Sequence, residues 1–132
     1  MRKINRKAKA VLDVLTNNGQ LRHKKYQSRC FEPLVVEKLE TMEHGTVFSV
    51  AHYYEQNGDL IADPDMTFLL RHGEWYPMSY YQPAIGLYQE AIINDNGKLL
   101  LREKLQSELA VFAGMWMSNI KEQGFLKQEA YV

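Results

Sequence analysis

Cysteine is almost absent from this chain. Cys30 stands alone, which excludes an internal disulfide. Nowhere does an apolar run approach the roughly 20 residues needed to cross a bilayer, and the N-terminus lacks the apolar stretch of a secretory signal. A cytoplasmic location without a membrane partner is therefore expected. Missing too are a glycine-rich phosphate loop, a serine elbow and a dinucleotide fingerprint. No catalytic signature and no cofactor can be read from the chain.

What is present is ordinary for a soluble globular protein: 132 residues, 45% hydrophobic and 24% charged. At this length roughly two thirds of the unfolded surface is buried on folding, enough for a core without disulfides or a structural metal. No internal repeat, low-complexity tract or linker is visible, so one domain over 1–132 is expected.

Net charge of one sign is lacking as well, since 16 Lys and Arg balance 16 Asp and Glu. The balance hides an asymmetry. Residues 1–29 hold nine basic side chains against Asp13 alone, a net of +8, and the remainder holds seven basic against fifteen acidic, a net of −8. Two outcomes follow: the basic segment docks on the acidic part of its own fold, or it faces a polyanion. In the second case Arg2, Lys3, Arg6, Lys7, Lys9, Arg22, Lys24 and Lys25 are the nucleic-acid candidates. Five of these, Arg2, Lys3, Arg6, Lys7 and Lys9, lie just before or within the first two turns of a predicted helix, the end where its dipole disfavours positive charge.

That helix is read over 4–16 from the spacing of Ile4, Ala8, Val11, Leu12 and Leu15, and Asn17-Asn18-Gly19 ends it. The basic N-terminal segment 1–29 is expected to be helical, the region 30–93 to form a sheet. Pro33 to Leu39 and Thr46 to Glu55 have strand composition, with His44-Gly45 as the turn between them. Asn57-Gly58 is a strong hairpin signal. Leu60 to Asp65 is interrupted by Pro64 and is not expected to be a central strand. Met66 to His72 and Trp75 to Tyr81 read as a second hairpin, and Ile85 to Ile93 as a strand or a short helix. A long helix over 98–123 is predicted from Leu101, Leu105, Leu109, Phe112, Trp116 and Ile120, with Gly124 as its stop and Gly114 permitting a close approach. The expected fold is α+β: an antiparallel sheet of four to six strands, with an N-terminal helix and a long C-terminal helix packed on one face.

Three constellations could carry chemistry. Glu55, Asp59, Asp63 and Asp65, with the Asn57 carbonyl, offer hard oxygen ligands for Ca²⁺ or Mg²⁺, although their spacing does not fit an EF-hand and turn chemistry explains the same residues. With His52, the carboxylates Asp59, Asp63 and Asp65 could also serve a carboxylate- or metal-dependent enzyme. His23, His44, His52, His72 and Cys30 lack the short-range spacing of a zinc site. Cys30 reads better as a buried or half-buried structural residue than as a nucleophile. Tyr53, Tyr54, Trp75, Tyr76, Tyr80, Tyr81 and Tyr88 crowd the predicted sheet. Adjacent tyrosines put one ring on each face of a strand, so one of each pair is expected in the core and the other outside, where interfaces and base-stacking platforms use such rings.

The stretch His52-Tyr53-Tyr54-Glu55-Gln56-Asn57-Gly58-Asp59-Leu60-Ile61-Ala62-Asp63-Pro64-Asp65-Met66, followed by Trp75-Tyr76-Pro77 and by Phe112, Trp116, Asn119-Ile120 and Gly124-Phe125, resembles a bacterial domain family of unknown function. Members of that family occur in mobile-element and phage-related proteins of gut bacteria. The resemblance implies an accessory role around mobile genetic elements and supplies no catalytic residues.

The leading expectation is a non-enzymatic binding module that holds a protein or peptide partner with Tyr53, Tyr54, Trp75, Tyr76, Tyr80 and Tyr81 and with the loop at 53–66. It requires apolar surface left open on the sheet. Nucleic-acid binding through the basic segment is the alternative, and the enzyme reading comes third. Homodimerisation is compatible with any of these.

Overall fold

Along residues 34–82 apolar side chains alternate with polar ones, and the strands they form turn one apolar set towards two helices. The protein is described by a computed structural model over residues 1–127; of the single domain expected over 1–132, residues 128–132 lie outside the described residues. The elements are α1 (Arg6–Leu15), β1 (His23–Tyr26), β2 (Leu34–Met42), β3 (Gly45–Gln56), β4 (Asp59–Arg71), β5 (Glu74–Gln82), a 3-10 turn (Pro83–Ile85), β6 (Leu87–Glu90), β7 (Ile92–Asp95), β8 (Lys98–Leu101) and α2 (Glu103–Glu122). Strands β1 to β6 form one antiparallel sheet in sequence order, and β7 and β8 form a separate hairpin. The fold is α+β, with a short N-terminal and a long C-terminal helix.

Helix α1 starts where Asn5 caps it, its Oδ1 accepting from the Ala8 N–H at 2.7 Å. It ends as expected at Asn17 and Asn18, both at positive φ. Its stripe of Ala8, Val11, Leu12 and Leu15 packs with Leu109, Ala113, Trp116, Met117 and Ile120 of α2 over Val36, Phe48, Val50, Met66, Phe68 and Trp75 of the sheet. Gly114 lets the helices meet, because a Cβ there would come within 2.5 Å of the Asn5 amide nitrogen. On the opposite face the β7–β8 hairpin covers a smaller cluster of Val47, Leu69, Met78 and Ile92. Gln106 is buried and satisfied, its Oε1 accepting from the Arg2 N–H and its Nε2 donating to the Pro77 carbonyl. Among the described residues no helix is long and apolar enough to cross a membrane.

Turn chemistry explains the hairpins. Asn57-Gly58, His72-Gly73 and Asn96-Gly97 each hold two successive positive φ values, the geometry that matches the twist of antiparallel strands. At Gly45 a side chain would run into the Leu70 carbonyl, so the β2–β3 turn can sit close to β4 only with glycine there.

Four expectations are corrected. Strand β4 runs straight through Pro64 and lies between β3 and β5. Ala51 faces Asp65 and Tyr53 faces Ala62, so Asp63 and Pro64 together oppose His52. Proline sits at a bulge, where no ladder N–H is required. Residues Lys98–Leu101, placed in the C-terminal helix by the spacing of Leu101, instead form β8: Asn96-Gly97 closes a tight hairpin, and Leu99 and Leu101 pack on the smaller cluster. The segment from Ile85 to Ile93 resolves into the end of the 3-10 turn, β6 and the start of β7. The basic segment 1–29 is not helical throughout, because His23–Tyr26 is an edge strand held by pairing with Leu34–Glu37.

Candidate binding cleft

The bulge at Asp63–Pro64 re-aims the side chains around it. His52 points to the helix side, where its ring lies 5.9 Å from that of Trp116 and 5.4 Å from that of Phe125. Its Nδ1 is 3.2 Å from the Glu32 carbonyl oxygen and 3.3 Å from that of Pro33. Carbonyls only accept, so Nδ1 is assigned the proton.

The loop between β1 and β2 is tied over this point. Ser28 Oγ donates to the Gln123 carbonyl at the end of α2, Phe31 lies against Phe125 with ring centroids 6.3 Å apart, and the Tyr53 N–H donates to the Pro33 carbonyl at 3.4 Å. Between the loop, the bulge and the helix end opens a cleft of about 530 Å³. Phe31 and Tyr54 supply aromatic walls, Glu32 and Asp63 carboxylates, and His52 and Gln123 polar groups, and Tyr53 borders the cleft with its ring directed to the face of Asp65. Phe31 is 46% exposed, and Tyr53 and Tyr54 are half-buried. Asp63 accepts from Gln82 Nε2 at 3.0 Å, and Gln82 Oε1 accepts from the Tyr80 hydroxyl at 2.7 Å. Burial, and then the Asp63 charge, raises the Tyr80 pKa above its ordinary value.

Asp65 stands apart from Asp63. Ser49 Oγ donates to it at 2.7 Å. Burial raises its pKa, the Ser49 bond opposes the rise, and the Glu37 charge adds to it. Around Asp65, Tyr53 is raised by burial and then by Asp65 and Glu37, and Tyr88 by burial, then Glu90 and Asp65. On the same face Ser49, Thr67 and Ser79 align across β3, β4 and β5, with a hydrogen bond between the last two.

The candidate residues are therefore divided. Glu55 and Asp59 are exposed at the β3–β4 hairpin end, Asp63 lines the cleft, and Asp65 is bonded to Ser49. The four carboxylates do not converge, because the bulge and the hairpin spread them. Among the described residues, no group of three or more His, Cys, Asp or Glu is placed to hold a metal. Of the enzyme set only His52 and Asp63 share a site. Cys30, expected to be buried or half-buried, is exposed in the loop, held at positive φ. His23 and His72 are exposed, and His44 contacts the Gly97 carbonyl.

Among the aromatic residues, Trp75 is corrected from a partner candidate to a core residue: it is 0% exposed, and its Nε1 donates to Asp13 at 2.9 Å. Tyr76 packs on the smaller cluster, and Tyr80 stands edge-on to Phe112 at 5.2 Å. Tyr81 and Tyr88, 42% and 59% exposed, form an edge-to-face pair at 5.9 Å.

The basic segment packs on its own fold through α1 and β1, but among the described residues no ion pair joins it to residues 37–65. Lys3 reaches Glu74 at 3.6 Å and Lys9 reaches Asp13 at 2.6 Å, the ion pairs found among the described residues. Lys24 lies over the Tyr26 ring, and Arg2, Arg6, Lys7, Arg22 and Lys25 are exposed. Phe31, Glu32 and Gln123 escaped the reading of the sequence because nothing local marks a residue that only a distant loop closure brings to the site.

The family described as Domain of unknown function (DUF6908) matches residues 4–126. The chain belongs to this family. The DUF6908 match spans both helices, all eight strands and the whole cleft. No curated protein and no solved structure matches the chain.

Proposed function

We propose that the chain is a non-enzymatic binding module that holds a segment of a partner protein or peptide in the cleft between the β1–β2 loop, the bulge and the end of α2. The observation that carries this reading is the pair of partly open rings, Phe31 and Tyr54, around a concave site that the core does not fill. His52, Tyr53, Tyr54 and Asp63 also belong to the stretch that carries the family resemblance, which supports an accessory role around bacterial mobile genetic elements, in the cytoplasm. Of the carboxylates weighed with His52 for an enzyme only Asp63 shares its cleft, and Asp63 is held by Gln82, which favours the binding role.

The test is selection of a random peptide library on the protein, followed by NMR titration of recovered peptides. Shifts centred on Tyr53, Tyr54 and His52 are expected. Failure to recover any peptide, or shifts confined to Tyr81 and Tyr88, overturns the reading.

A second reading, nucleic-acid binding, is favoured by one observation: Arg6, Lys7, Arg22 and Lys25 are exposed, and none of them is ion-paired among the described residues. It requires complexes that weaken steeply with salt, and an electrophoretic shift assay at two salt concentrations decides it; no shift at low salt removes it.

A further inference from the structure

Resting on the reading of the cleft as a peptide site, we infer that the side chain it takes is cationic, and that arginine fits it best. The lining holds two carboxylates, Glu32 and Asp63, and no lysine or arginine. The ion pairs among the described residues use Glu74 and Asp13, so neither cleft carboxylate is paired with a cation. Asp63 receives one neutral donor, Gln82 Nε2, on Oδ1, which leaves its second oxygen for a ligand. The aromatic walls are Phe31 and Tyr54, whose ring faces attract cations. An anionic side chain would be repelled here, and a neutral one would strip water from two carboxylates without replacing it. A planar guanidinium can stack on a ring while bonding a carboxylate, which an ammonium cannot do as well.

The experiment is calorimetric titration with four short blocked peptides, alike except for a central arginine, lysine, citrulline or glutamate. The arginine peptide is expected to bind, the lysine peptide several-fold more weakly, and the neutral isostere citrulline at least about tenfold more weakly, as the loss of a charge-assisted hydrogen bond implies. The glutamate peptide should not bind. Glu32→Gln and Asp63→Asn should each weaken the arginine peptide and flatten its salt dependence. Both side chains are exposed, so the melting temperature should hold.

Equal binding of citrulline and arginine overturns the inference and leaves the peptide-binding reading standing. So does recovery of library peptides that bind the cleft without a basic residue. If neither this series nor the library yields a binder, the reading itself fails along with the inference.

Discussion

Strands β3 and β4 behave differently on the two sides of the bulge. On the side of Phe48, Val50, Met66 and Phe68 the pair is sealed beneath the helices. Beyond it, Tyr53, Tyr54 and Ile61 are half-buried, while Glu55 and Leu60 are exposed. The same two strands thus provide a floor for the core and, a few residues further on, a wall for the cleft. One irregularity lets the strand pair change task without ending.

The comparison breaks first, if it is wrong, on the sealed side. Phe68→Ala should cost about 3–5 kcal/mol, a large part of the 5–15 kcal/mol typical of a domain, and urea unfolding reads it directly. Next comes Asp13→Ala. It removes the acceptor of the Trp75 indole N–H, and leaving that buried donor unpaired should cost about 1–3 kcal/mol by the same assay.

Asp65 lies beside the bulge, and its prediction concerns pH. Its folded pKa stands above the ordinary 3.8, chiefly through burial, so the folded protein holds this proton more tightly than the unfolded chain does. The group's contribution is therefore greatest at low pH and is lost as pH rises through the interval above 3.8. Asp65→Asn, always neutral and still able to accept from Ser49, should raise the melting temperature at pH 7, with the gain shrinking towards zero as pH falls below 4. A destabilised variant at pH 7 would contradict this.

Much of the fold was legible because its signals are local. The 3.6-residue stripes of α1 and α2, the turn at Asn57-Gly58 and the hairpin joining Met66–His72 to Trp75–Tyr81 needed no tertiary information. The rule that adjacent tyrosines split between faces held for Tyr80 and Tyr81: the first meets Phe112 and the second is open. Pro64 misled because a local rule about proline takes no account of a bulge. Leu101 misled because its spacing to Leu105 fits a helix while Asn96-Gly97 imposes a hairpin. Of the candidate site, His52, Tyr53, Tyr54 and Asp63 were legible as a motif. The bond from Ser28 to Gln123 that closes Phe31 and Glu32 over them is a contact between residues 95 positions apart, beyond the reach of any pattern along the chain.

The smallest effect on stability is expected where the effect on binding is largest. Tyr54→Ala, at a half-buried position on the open side of the bulge, should cost about 1 kcal/mol, the centre of the range for single substitutions. The most direct measurement sets the two quantities side by side, titrating this variant and the parent with the same arginine peptide and melting both. The account predicts a small fall in melting temperature and a loss of peptide affinity in the variant. A collapse in melting temperature would show that Tyr54 belongs to the core after all, and unchanged affinity that the cleft is not the binding site.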